Sequence, residues 1–277
     1  MPGHGSLTFI GNATVLIRYN GFTLLTDPNF LHRGQRAYLG WGVTSRRLTN
    51  PAMEIDELPA LDAVVLSHMH GDHWDRVTRR GLDRDTPIIT TPHAARRLGH
   101  QGFGRSVGLG TWRAHEMRGG GGTLKIISLP ARHAPGIAET LLPPVMGSML
   151  EFRDPEGQLD LRLYVSGDTL MDPWLKAIPR RFPEIDAAIV HLGGTRLLGM
   201  MTVTMDGEQG ARWVDLMNAD MVVPVHYDDY TVFKSPLDDF RRHVEQAGVA
   251  DRVVYLERGQ SHELTGRPAP RRSIPNA

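Results

Sequence analysis

An α/β (α+β) fold is what this sequence predicts, on three observations. Short β-branched runs recur along the chain, several of them alternate with stretches of helical periodicity, and runs in both halves end on a histidine or an aspartate. The last pattern implies two related halves sharing one central site.

The elements follow in order. Residues 7–19 read as one strand and 22–26 as a second, joined through Asn20-Gly21, a pair that takes the positive φ angles of a tight hairpin turn. Asp27-Pro28 stops the second strand, and segment 29–57, rich in Gly, Arg and polar residues, reads as a long loop or partly helical excursion. Residues 61–67 form a β-branched run that leads directly into His68-Met69-His70-Gly71-Asp72-His73. A helix at 77–80, a strand at 87–90 and a helix at 94–98 continue the alternation. After the glycines at 119–122 comes a strand at 124–129; Pro130 interrupts it and His133 enters an apolar loop, 137–146. Strands follow at 149–152 and 161–165, the second ending in Ser166-Gly167-Asp168-Thr169. Residues 187–192 end at Gly193-Gly194, a helix covers 207–217, and strand 221–225 runs into His226. A helix at 236–246 and a strand at 253–256 close the fold. Residues 1–264 are thus expected to form a single domain, and 265–277, proline-rich and basic, a mobile tail.

The composition narrows the function classes. With 40% hydrophobic and 22% charged residues in 277, a sizeable core is expected and wholesale disorder is not. Lys plus Arg total 31 and Asp plus Glu total 31, so there is no overall field to collect nucleic acid, and no nucleic-acid partner is expected. No apolar run approaches the ~20 residues that cross a bilayer, and no export signal precedes the first strand, so the expectation is a soluble cytoplasmic protein. Cysteine is absent, which excludes thiolate nucleophiles and thiolate ligands and leaves 13 histidines and the carboxylates to hold any metal.

In an extended turn His68 and His70 project to one side, while Asp72 and His73 reach an adjacent position from the following helix. That geometry suits two neighbouring divalent ions with nitrogen and oxygen ligands. A histidine-rich surface turn is the alternative. His133 and His226 are weaker alone, and Asp168 alone would be an Asp capping its own glycine-containing turn. His191 ends another strand, where it serves either as a substrate ligand or proton donor, or as a hydrogen-bonded support of the metal ligands.

The run His68 to His73 resembles the HxHxDH signature of the metallo-β-lactamase superfamily. Thr26-Asp27-Pro28, His133, Ser166-Gly167-Asp168-Thr169 and Val225-His226 stand in that superfamily's order. The chain is also similar to the ascorbate-6-phosphate lactonase-like hydrolases and to N-acyl-phosphatidylethanolamine phospholipase D. Similarity to the latter lies in Leu25-Thr26-Asp27-Pro28, residues 56–63 and Ser67-His68, and it breaks down around Leu192-Gly193-Gly194-Thr195. The resemblance implies a four-layer αββα sandwich of two β-sheets flanked by helices. It implies a first ion on His68, His70 and His133, a second on Asp72, His73 and His226, and Asp168 bridging them, with Asp27 orienting a ligand from behind.

The expected chemistry is hydrolysis by a hydroxide held between the two ions, with Asp72 orienting it or helping to move a proton. Zinc is expected, with manganese as the alternative and iron ranked below both, because diiron members of the superfamily carry glutamate where His70 stands. A phosphodiester is the first substrate expected, and a lactone or carboxylic ester the second. The apolar segments 137–146 and 197–205 are expected to offer Leu142, Met146, Met200 and Met201 to a small or lipid-like substrate, with Tyr38 and Trp41 on the same wall. The other reading of these segments is ordinary packing or the contact of a homo-oligomer. Two further classes stand beside the hydrolase: an iron-dependent oxidoreductase, and a metal-binding protein without turnover.

Overall fold

The computed structural model describes residues 3–119, 121–197 and 201–267. In chain order its strands begin with β1 (His4–Gly11), β2 (Thr14–Tyr19) and β3 (Phe22–Thr26), followed by the small ribbon β4 (Arg36–Tyr38) and β5 (Thr44–Arg46). Then come β6 (Ala63–Val65), α1 (Arg76–Gly81), β7 (Ile88–Thr90), α2 (Pro92–His100), β8 (Ser106–Gly108), β9 (Ala114–Gly119) and β10 (Gly122–Leu129). The second half holds β11 (Gly147–Arg153), β12 (Leu159–Val165), α3 (Ala177–Arg181), β13 (Ala187–His191), β14 (Arg196–Leu197) and β15 (Met201–Thr202). It closes with α4 (Gly207–Met217), β16 (Met221–Val225), α5 (Leu237–Ala247) and β17 (Ser261–Thr265).

Seven strands form one sheet in the order β17-β1-β2-β3-β6-β7-β8, and six form the other in the order β16-β13-β12-β11-β10-β9. Successive side chains of a strand point to opposite faces, so each central strand feeds two cores. Ile17 and Leu24 of the first sheet meet Ile126, Leu150, Leu163 and Val223 of the second in the core between the sheets. Their neighbours Leu16 and Leu25 turn outward to Leu98 of α2 and Val77 of α1. On the opposite outer face Ile127, Met149 and Val190 pack against Ile178 of α3, Val214 of α4 and Phe240 of α5. The layers are therefore α, β, β, α, as the resemblance implies, and strands buried on both faces explain the nearly continuous apolar runs.

Strand direction decides where the site lies. In the first sheet β3, β6, β7 and β8 run parallel to one another. In the second, β12, β13 and β16 are parallel, and β10 runs with them because two antiparallel pairings, β10 with β11 and β11 with β12, restore its direction. Parallel strands deliver all their C-terminal ends to one edge. Those ends carry Asp27, His68, His133, Asp168, His191 and His226.

Several elements differ from expectation. The single strand at 7–19 is two strands, folded back at Gly11 (φ 142°) and Asn12 (φ 54°), because an apolar run on both sides hides a two-residue turn. The excursion at 29–57 contains the β4–β5 ribbon and a 3-10 turn, and no α-helix. Residues 253–256 make only one bridge, Val222 to Val253, and the last strand is β17, which pairs with β1. Thr265 thus belongs to a strand, and Arg267 is held by Asp186 at 2.8 Å, so the expected tail does not begin at 265. Residues 268–277 lie outside the described residues. The strand β9, Ala114–Gly119, escaped notice because an edge strand with mostly exposed polar residues carries no apolar signal.

Candidate metal centre

β6 ends two residues before Ser67, whose N–H donates to Asp27 Oδ1 at 2.7 Å, and the chain then turns through His68 to His73. Gly71 is required here by space: a Cβ would stand 2.6 Å from the backbone nitrogen of Tyr38 and 2.7 Å from its carbonyl oxygen. The Gly71 N–H donates to that same carbonyl at 2.8 Å, fixing the turn on β4. In the second sheet Gly167 (φ 61°) makes the turn that leads into Asp168 and packs against Met146 and Ser67, where a Cβ would meet the Met146 carbonyl at 2.6 Å.

All seven expected ligands converge. His70 Nδ1 lies 2.9 Å from His68 Nε2 and 3.0 Å from His133 Nε2. Asp168 Oδ2 is 3.2 Å from His73 Nε2, 3.9 Å from His68 Nε2 and 4.0 Å from His133 Nε2, while its Oδ1 is 3.6 Å from His226 Nδ1. Asp72 Oδ2 lies 3.4 Å from His226 Nε2. Two of the groupings whose ligand atoms fall within 4.8 Å of one another are His68 with His70 and His133, and Asp72 with His73 and His226. Asp168 stands between those two groups, joined to His68 and His73 in a third.

This arrangement is unsatisfied without cations. His68 Nδ1 is engaged by the Ser67 hydroxyl at 2.9 Å and His133 Nδ1 by the Val203 carbonyl at 2.9 Å, so each ring turns its Nε2 inward. Three neutral imidazole nitrogens facing one another cannot all find a proton to share. A tetrahedral ion with bonds of 2.0–2.1 Å would separate its ligands by roughly 3.3 Å, close to the spacing observed. Asp72 Oδ1, His73 Nε2 and Asp168 Oδ1 are likewise buried without a directed hydrogen bond. In a folded interior such atoms are rarely orphaned together, and the donor set fits two divalent cations.

The electrostatics divide the ring. Burial and the neighbouring His133 push His70 down to about 3, and burial with the charges of His73 and His70 holds His68 well below its ordinary value. Burial also lowers His133, against the pull of Asp168. These three offer lone pairs at neutral pH. Burial would lower His73 and His226 too, but Asp168, Asp27 and Asp72 outweigh it at His73, and Asp168 and Asp72 at His226, so both are raised. Asp168 and Asp72 stay below the usual carboxylate range because the adjacent imidazoles more than offset burial.

Asp27 lies behind this ring, with Oδ2 3.3 Å from His73 Nδ1 and 3.4 Å from His191 Nε2. Burial alone would raise it, yet His73 and His191 hold it down to about 2. His191 is fully buried, with Nδ1 3.1 Å from the Ser166 hydroxyl. It has no open face for substrate. Its polar contacts among the described residues are with Asp27 and Ser166, and its position at a strand end could not distinguish the two expected roles.

The pocket residues separate. Trp41, Leu142 and Met201 line one cavity of about 310 Å³ together with Leu39, Val43 and Leu141. Met146 does not join them: it is 2% exposed, with its N–H on the Ser67 carbonyl. Tyr38, the last residue of β4, lines a different groove, while Leu39 just after it lines the apolar cavity. Met200 lies outside the described residues. Sequence reasoning missed Asn12, whose side chain donates to the Asp72 carbonyl at 2.6 Å. Its signal was the Gly11-Asn12 pair, a turn former inside an apolar run.

Residues 23–227 match the family model described as "Beta-lactamase superfamily domain". A UPF0173 metal-dependent hydrolase of Deinococcus radiodurans is 32% identical over 206 residues, covering 73% of this chain and 80% of its own. Among solved structures, the isothiocyanate hydrolase from Delia radicum gut bacteria superposes with a TM-score of 0.77 at 21% identity, covering 95% of this chain and 100% of its own. A metallo hydrolase from the archaeon Ignicoccus hospitalis superposes with a TM-score of 0.70 at 22% identity, covering 94% and 98%.

Proposed function

Because this chain belongs to the beta-lactamase superfamily and is a metal-dependent hydrolase, we propose that it uses two cations to hydrolyse an uncharged ester or lactone carrying an apolar substituent. His68, His70 and His133 would hold one ion, Asp72, His73 and His226 the other, and Asp168 would face both. Bound there, the pair supplies acidified water and polarises the oxygen under attack. The chain's own residues set the geometry. Asp27 and His191 hold the ring of His73, the Val203 carbonyl holds that of His133, and the Ser67 hydroxyl that of His68.

The single observation that carries the substrate class is the lining of the cavity that shares Leu142 and Met201 with the cluster of Ala134 and Val203. Leu39, Trp41, Val43, Leu141, Leu142 and Met201 bring no charged group to it. Val203, whose carbonyl fixes His133, packs with Leu142 and Ala134 in one cluster, so the apolar wall is continuous with the ligand's support. Trp41 is 73% exposed and Leu141 55%, and the indole N–H donates to the Leu141 carbonyl at 2.8 Å, joining two loops into a lip. Large apolar groups left open at a concave rim mark a place for an apolar ligand. A phosphodiester, expected first, would find its charge met by the two cations alone, since this wall adds no cationic side chain beside them, whereas an uncharged apolar substrate gains from the whole lining. No described helix is long and apolar enough to cross a membrane.

The test is elemental analysis coupled to a turnover panel on one purified sample: p-nitrophenyl esters and γ-lactones of increasing alkyl length, an alkyl isothiocyanate, and bis-p-nitrophenyl phosphate. Two zinc or manganese ions per chain and a kcat/KM that rises with alkyl length on the uncharged substrates support the proposal. His70→Ala and Asp168→Ala should lose metal and turnover together. Preference for the phosphodiester, no turnover at full metal loading, or iron with oxygen consumption would each overturn it.

A further inference from the structure

Behind the metal-binding turn lies a second concavity, of about 300 Å³, and its walls are basic. Arg36 comes from β4, Arg76 and Arg79 from one face of α1, and Arg97 from α2, so three separate elements turn guanidinium groups into one groove. Other arginines that face a concavity or an interior edge are matched by carboxylates, Arg132 by Asp172, Arg162 by Glu151, Arg258 by Asp228 and Arg267 by Glu184. The groove arginines make only neutral contacts among the described residues, Arg36 to the Thr44 hydroxyl at 3.0 Å and Arg76 to the Arg36 carbonyl at 3.2 Å. The one carboxylate in the lining, Asp75, is spent: Oδ2 accepts from Asn29, Phe30 and Leu31, and Oδ1 from the Thr78 N–H.

We propose that this groove binds a small phosphorylated molecule carrying two or more negative charges. Four cations without a carboxylate partner among the described residues, drawn together on a chain of zero net charge, repel one another, and like charges at helical spacing on α1 destabilise it. A multiply charged phosphate group removes that repulsion and meets planar guanidinium donors in the bidentate geometry they favour. Gln101 and the half-exposed ring of Tyr38 at the rim offer a hydrogen-bonding amide and a flat face to the organic part. A concavity of about 300 Å³ suits a compact ligand rather than a membrane or a duplex. Met69 and Gly71 of the metal-binding turn form part of its floor, so the ligand would touch the back of that turn.

The proposal does not depend on which bond the metal centre cleaves. It is tested by calorimetric titration of the metal-loaded full chain with pyrophosphate. Pyrophosphate also binds exposed cations, so the comparison is among variants with the metal ligands intact. Arg180→Glu, on the exposed side of α3, should titrate like the parent. Arg76→Glu/Arg79→Glu should bind about tenfold more weakly or worse, and the parent's affinity should fall with added salt. Arg97→Glu, on a different helix, should weaken binding in the same direction, which separates loss of the site from disturbance of α1. Unchanged titration in these variants, or binding to phosphatidate vesicles without binding of pyrophosphate, would overturn the proposal.

Discussion

The backbone N–H of His226 donates to the carbonyl of Asn12 at 3.0 Å, which ties the end of β16 to the turn between β1 and β2. Both residues sit at positive φ, 63° and 54°, where a non-glycine residue needs its surroundings to hold it. Asn12 also reaches the Asp72 carbonyl with its side chain, so one turn fixes a candidate ligand from each half of the site. Asn12→Ala should therefore lower metal affinity about 10–100-fold, the range for partners that orient ligands, while the sheets stay folded. Competition with a chromophoric chelator measures this. An unaltered affinity would show that Asp72 is held by other means.

Asp27→Asn tests the support behind His73. The amide still accepts from the Ser67 N–H, but the negative charge facing His73 and His191 is gone. With it goes one of the charges that raise His73. The expected result is weaker metal binding and, in the metal-free protein, a downward shift of the His73 titration read by NMR. A variant with full affinity and an unmoved His73 would contradict the role assigned to Asp27.

The pH dependence of the metal-free chain follows from the same charges. His68, His70 and His133 are lowered in the folded state below the ordinary 6.5, so the unfolded chain takes up protons there first. Their effect on stability is absent above pH 6.5 and grows as a loss when pH falls toward the folded value of about 3 at His70. Asp27, lowered to about 2, contributes stability that is present above its ordinary 3.8 and disappears as pH falls through about 2. His73 and His226, raised, act oppositely: their contribution is complete below 6.5 and fades as pH rises through their folded values. Thermal melts of chelated protein should thus show Tm falling from pH 6.5 downward. Calorimetry near pH 7 should show protons released as metal displaces them from His73 and His226. A melt insensitive to acid, or metal uptake without proton release, would contradict these assignments.

What could be read in the chain beforehand was what local chemistry repeats. The hairpin at Asn20-Gly21 forms as its residue types require, with φ 47° and 77°, and the α4 helix coincides with residues 207–217, started by the Asp206 side chain on the Gln209 N–H. The convergence of the seven candidate ligands was legible because imidazoles and carboxylates at strand ends have few other reasons to recur. The roles of Asn12 and His191 were not, because each depends on partners 60 or more residues away for Asn12 and on Ser166 and Asp27 for His191. The arginine groove was invisible for the same reason. Only Arg76 and Arg79 share a helical spacing in the chain; Arg36 and Arg97 join them only through the packing of β4, α1 and α2.

Arg47 offers a test of the fold beneath the site. It is fully buried, with Nη2 3.2 Å from Asp229 Oδ1 and Nη1 donating to the Asn29 carbonyl, and Asp229 in turn accepts the Asn12 N–H at 2.8 Å. Burial would raise the Asp229 carboxyl, but Arg47 and Arg258 outweigh it and keep the group charged. Removing one partner of such a pair leaves a charge in the interior with less to balance it, which typically costs about 3–5 kcal/mol. Arg47→Met keeps much of the volume, so urea unfolding of that variant should report a loss in this range from charge rather than from a cavity. Adding Asp229→Asn should then recover part of it, because the stranded charge is gone. If the double variant were as unstable as the sum of its singles, Arg47 and Asp229 would not be coupled, and the tie from Asn12 to the interior would rest on packing alone.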